Sequence, residues 1–206
     1  MNSEHSLRNV EELYEDSRTL YTKVIMGEDS SADTLIANLA VAIRVLETNW
    51  KGIDAGVNIQ KVAEVHNELV SVRNALAKLA CDSSKVAVDY RRIQFANGAP
   101  VSELSPIVIS DKSTINVEAD TADTININPA ADGGRLLIFK TVNQFDNFVS
   151  AARDVKDKIL VNWLVGPGRN DADDAFNKFE ANVKKYKDNL NLVSSVITSS
   201  LRNYSF

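Results

Sequence analysis

The sequence predicts a mainly α protein: two long helical hairpins forming a four-helix-bundle-like core, with a short strand-rich insert between them. Three observations predict it. Apolar residues recur at steps of three and four through most of the chain, the period of an amphipathic helix. The layout of helix, Asn-Trp, glycine and long helix occurs twice, at Asn49-Trp50-Lys51-Gly52 and at Asn162-Trp163-Leu164-Val165-Gly166. Between the copies the apolar period falls to about 2, that of extended chain, and three of the 4 prolines gather there.

Taken in order, Leu7, Val10, Leu13, Tyr14, Leu20, Tyr21, Val24 and Ile25 form one stripe on a helix over 6–26. Gly27 breaks it. Ser30-Ser31 can cap a second helix, with Asp33 in the first turn complementing the helix dipole. We expect this second helix to be a kinked or broken continuation of the first. It uses Leu35, Leu39, Ala42, Ile43 and Leu46 and runs into Trp50. A large aromatic beside a helix-breaking glycine suits a tight hairpin: the ring covers the open end, and glycine supplies a backbone geometry that other residues reach only with strain. The pattern from Ile59 to Ile93 keeps its three-four steps without a proline and predicts the longest helix in the chain.

The insert, 96–140, reads as short strands at Ile107-Val108-Ile109, Ile115-Asn116-Val117, Ile125-Asn126-Ile127 and Leu136-Leu137-Ile138-Phe139, with Gly133-Gly134 as a turn. Since an isolated hairpin is marginal in water, the insert must lean on the helices or on another molecule. Helix returns from Phe145 to Trp163. A final helix follows Gly166-Pro167-Gly168, with Asp171, Asp173 and Asp174 at its start and an apolar stripe from Phe176 to Tyr204. The organisation is thus a first hairpin over 1–95, an insert or crossover over 96–140 and a second hairpin over 141–206.

A net charge of -5 with no concentrated basic patch argues against nucleic acid, and no apolar run reaches the length of a membrane span. Cys81 has no second cysteine to pair with and reads as a structural thiol. The polar N-terminus lacks the pattern of a Sec-type signal peptide. No catalytic residues are expected, and no cofactor or metal. His5 and His66 have no nucleophile or acid at a useful spacing, and the acidic trio reads as helix capping, without further ligands to complete a metal shell. Gly166-Pro167-Gly168 lacks the lysine that a phosphate-binding loop needs.

The doubled layout resembles the WXG-type superfamily, the ESAT-six-like helical hairpins exported by type VII secretion systems. The first half carries the signature as Trp50-Lys51-Gly52. The second has a longer turn, Trp163 to Gly166, and a better downstream match in Ala175-Phe176, Phe179 and Asn203-Tyr204. Family members pair as dimers of hairpins, so the resemblance implies a tandem fusion whose halves form an intramolecular pseudo-dimer. It further implies a non-enzymatic secreted effector, adaptor or chaperone. The implied partner is a protein, either secretion machinery or a larger secreted substrate. The chain would be made in the cytoplasm and exported through the type VII route. The family's export motif, tyrosine followed four residues later by an acidic residue, follows neither long helix: Tyr90 precedes Gln94 and Tyr204 lies at the chain end. Export alongside a partner that carries the signal is the form the resemblance then implies. The alternative is a structural or adhesin-like interaction protein using the insert as its contact arm.

Overall fold

A computed structural model describes residues 6–204. The mainly α class holds, and the order of elements is β1 (Ser6–Leu7), α1 (Val10–Thr19), a π-helical turn (Leu20–Ile25), α2 (Ala32–Asn49), β2 (Trp50–Lys51), α3 (Ile53–Ala96), β3 (Asn126–Ile127), α4 (Ala131–Asn162), β4 (Trp163–Val165), α5 (Arg169–Ala181) and α6 (Val183–Tyr204).

Local chemistry sets the boundaries. Asn9 caps α1, its side-chain oxygen accepting from the N–H groups of Glu11 and Glu12 at 3.1 Å. Ser31 caps α2 through the Thr34 N–H, with Asp33 in the first turn as expected. The break between α1 and α2 lies at Met26–Ser31, where Ser30 takes a φ of 59°, an uncommon choice for a residue with a Cβ. Both helices pack on α3 and α4, so together they form one broken lead. The 44-residue α3 contains no proline and ends as the sequence indicates. The expected final helix is divided at Asn182 into α5 and α6.

Four rods make the bundle: α1/α2, α3, α4 and α5/α6. Neighbours run antiparallel. Ser17 at the start of the first lead meets Ser83 late in α3, their hydroxyls 2.6 Å apart. Gly134 at the start of α4 meets Leu46 at the end of α2, and Asn162 at its end meets Glu12 in α1. Packing of α3 against α1, α2, α5 and α6, and of α4 against the same elements, puts α3 and α4 on one diagonal. The two hairpins therefore point in opposite directions. Their apolar faces merge into one core that extends from Leu13 to Ile197, and the aromatic centre of the second half is Phe145, Phe148, Phe179 and Tyr186.

The insert departs from the sequence reading. Leu136-Leu137-Ile138-Phe139 lies within α4, and Gly133-Gly134 is not a turn but part of the same helix. A four-residue apolar run has no period of its own, and here only Ile138 is fully buried, as on one face of a helix. Gly134 allows α4 to approach α2: a Cβ there would lie 2.9 Å from Leu46. Of the remaining expected strands only Asn126–Ile127 pairs, and it pairs with Trp50–Lys51. Ile107–Ile109 and Ile115–Val117 join no sheet among the described residues. The connection is a strap that carries the chain back along the bundle from the end of α3 to the start of α4.

Candidate functional site: the two tryptophan turns and the strap

The two turns occupy opposite ends of the bundle, separated by the length of α4, which is about 48 Å for 32 residues at ~1.5 Å each. Trp50 and Trp163 are 1% and 0% exposed. Each ring is thus a plug inside its bundle end. The indole nitrogen of Trp50 is buried without a hydrogen-bond partner among the described residues, so that ring acts through its apolar area.

Gly52 has φ 113° and ψ 174°, a region open essentially to glycine alone, and it precedes the first turn of α3. Gly166 is close to extended, with φ 159°. In the second turn the left-handed residue is Gly168, with φ 78°, and it occupies the position before α5 that Gly52 occupies before α3. Arg169 then closes the longer turn by donating to the carbonyls of Trp163 and Leu160.

The ends are built by reciprocal exchange. Trp50–Lys51 pairs antiparallel with Asn126–Ile127, the strand that leads into α4. Trp163–Val165 pairs antiparallel with Ser6–Leu7, the strand that leads into α1. The flanking bonds correspond as well: Asn128 N–H donates to Asn49 O at 2.7 Å, and Arg8 N–H donates to Asn162 O at 2.8 Å. Each Asn-Trp turn is therefore covered by the lead strand of the other half. The two closures are reciprocal. The lead from Arg8 to Asn49 is seven residues longer than that from Asn128 to Asn162, and the π-helical turn and the 26–31 break lie within the longer one.

The strap is fixed by side chains of α3. Asn67 donates to Ile115 O and accepts from Ile115 N–H, both at 2.8 Å. Asn74 treats Lys112 identically, both at 2.9 Å. Each amide offers one donor and one acceptor, the same pair a neighbouring strand would offer. Ser84 Oγ accepts from Ile107 N–H at 2.9 Å, and Arg73, 3% exposed, joins Ser110 O at 2.6 Å to Asp33 at 2.9 Å. The lengths match: Ser84 to Asn67 spans about 26 Å of helix, and Ile107 to Ile115 spans about 26 Å of extended chain. Beyond, Asp120 accepts from Gly52 N–H at 2.8 Å and Ala122 N–H at 3.0 Å, and these bonds hold its carboxyl below the usual carboxylate range. Gly56 makes room for that contact, because a Cβ there would come within 2.6 Å of the Asp120 nitrogen.

The expected titratable candidates take structural places. His5 lies outside the described residues. His66 is 2% exposed, and burial lowers its pKa against a hydrogen bond to Asn67 that raises it. Burial pushes the Cys81 thiol up, away from the reactive thiolate. Tyr186 is pushed up to about 12 by burial and by the Glu68 carboxylate beside it. Asp171 stands in the first turn of α5, and Asp173 pairs with Lys156, which is 3% exposed and sits over the Phe176 ring. Burial opposes the charge of Lys156, but hydrogen bonds to Asp157 and Asp173 outweigh it and raise its pKa. Among the described residues no group of three or more His, Cys, Asp or Glu could hold a metal ion, and no helix is long and apolar enough to cross a membrane.

Fold and site together describe a single chain of two opposed helical hairpins, each tryptophan turn paired with a short strand from the other half. Comparison with protein-family models, with curated proteins and with solved structures found no match.

Proposed function

We propose that the chain is a non-enzymatic WXG-like protein of a type VII secretion pathway, acting as an effector, adaptor or chaperone through helix-bundle packing. The observation that carries this reading is the reciprocal closure of the two Asn-Trp turns. Paired WXG-type hairpins form a four-helix bundle from two chains, and the packing of two opposed hairpins within this chain supports the same arrangement here. The strap supplies the long connection that opposed hairpins require. Its docking along α3 favours a structural connection over a free contact arm.

The partner in this reading is a protein, such as a larger secreted substrate or the export machinery. The test is a secretion assay on cells with and without the type VII ATPase, alongside capture of partners on the tagged full chain. ATPase-dependent appearance outside the cell supports an exported effector. Retention in the cytosol together with capture of a type VII substrate supports a chaperone. Retention with no type VII component captured defeats the proposal.

A further inference from the structure

The outer stripe of α4 is not occupied by the bundle, and its sequence is self-complementary. Any straight helix exposes residues at three-four steps. What is unusual here is their chemistry when the helix is read against itself in the opposite direction. Leu136 falls opposite Val161, which are 53% and 51% exposed. Lys140 falls opposite Asp157, an exposed carboxylate with one oxygen on Lys156 at 2.8 Å, and Asn143 opposite Asp154. In the middle, Asn147 falls opposite Ser150, two small polar residues. All of these positions are exposed. Each half of the stripe thus presents the complement of the other, apolar to apolar at the ends and cation to anion one turn in.

The flanking elements continue the pattern. Gly133 abuts Val45, so the next turn of the two antiparallel helices brings the 44%-exposed Val41 beside Leu136. Arg44 is exposed on α2 at that end. At the other end, α1 and α4 enclose an open groove of about 480 Å³ lined by Glu12, Asp16, Asp157, Val161 and Asn162, with Lys158 as its one cation against three carboxylates. Asn162 is 4% exposed, and its amide oxygen has no hydrogen-bond partner among the described residues. One end of this face is therefore apolar and basic, the other apolar and acidic. Burial, with Glu12 and Glu15 close by, keeps the Asp16 carboxyl above its usual range despite Lys158.

We infer that this face binds a second copy of the chain, with two α4 helices antiparallel about a twofold axis that passes between Asn147 and Ser150. The axis sets the basic end of one copy on the acidic end of its partner, and does so twice. A contact of one helix and its flanks belongs to the small interface class, so the dimer is weak and reversible, and its charge pairs make it weaker at high salt. The inference rests on α4 and its flanks and stands whether or not the secretion proposal does.

The experiment is sedimentation velocity on the full chain over a wide concentration range at low and high salt, with circular dichroism as a check on folding. Concentration-dependent dimerisation that weakens with salt is expected. Lys140→Glu and Asp157→Lys should each weaken it by about tenfold, because each reverses a charge pair at two places in the dimer. The double variant K140E/D157K should recover it, a result that a general surface perturbation would not give. A monomer at every concentration in low salt overturns the inference. So does a dimer indifferent to the single variants, or one that the double variant fails to restore. Should a single variant misfold, Asn147→Arg tests the same axis by placing two cations beside it, one from each copy.

Discussion

At the residue scale, the tryptophans and glycines of the turns divide into distinct jobs. Trp50→Ala and Trp163→Ala each remove a fully buried ring and should cost about 3–5 kcal/mol in urea unfolding. Trp50→Phe keeps most of the apolar area, forfeits no indole hydrogen bond among the described residues, and should cost well under half as much. Gly52 and Gly56 matter for different reasons, the first for its backbone angle and the second for the approach of Asp120. His66 gives the molecule a pH dependence. Its folded pKa is lowered from 6.5, so the unfolded chain binds a proton more readily. Its contribution is intact above the unfolded value and is lost as pH falls below about 6.5 towards the folded value. The urea midpoint should therefore be lower at about pH 5.5 than at about pH 7.5, and His66→Gln should flatten that part of the profile. Nothing in the sequence marks His66 as buried rather than solvated, because the strap that covers its neighbour Asn67 comes from 48 residues away.

At the element scale, the helices were legible and the strap was only half so. Three-four periodicity located α2, α3 and α6 because each buries one continuous stripe in a common core. The period-2 segments around Ile107 and Ile115 correctly signalled extended chain. Their partner, however, is a row of amides and hydroxyls on a helix, and Asn67, Asn74 and Ser84 look in the sequence like ordinary polar positions. The start of α4 was missed because Leu136–Phe139 is equally good as strand or helix until Gly134 is seen against Leu46. Each asparagine amide satisfies two backbone groups of the strap, so Asn67→Ala and Asn74→Ala should each destabilise by about 1–3 kcal/mol. Hydrogen exchange should place the loss in residues 107–120, with the helices protected as before. Uniform loss of protection throughout the bundle would mean that the amides support the core rather than the strap.

At the scale of the whole molecule, interlocking makes the two halves one thermodynamic unit. The chief contact of α2 is α4, across the halves, and each bundle end is completed by a strand from the other half. Thermal unfolding should follow a single cooperative transition, with near- and far-ultraviolet circular dichroism superimposable. Two separated transitions would show hairpins that melt independently. The sequence displayed the repeat through its Asn-Trp pairs, but the exchange was hidden: Ser6–Leu7 is too short to announce a strand, and its partner Trp163–Val165 lies more than 150 residues away.

That separation has a consequence for synthesis. The first strand leaves the ribosome long before the turn that pairs with it exists, and the first tryptophan turn waits for Asn126–Ile127. A nascent chain halted just after α3 would hold a finished helix pair with both ends open and Trp50 lacking its cover. Helical bundles fold fast because their contacts are local, but here the last steps join distant segments. The final closure must be slower than hairpin formation, and Trp50 stays without its cover through that interval.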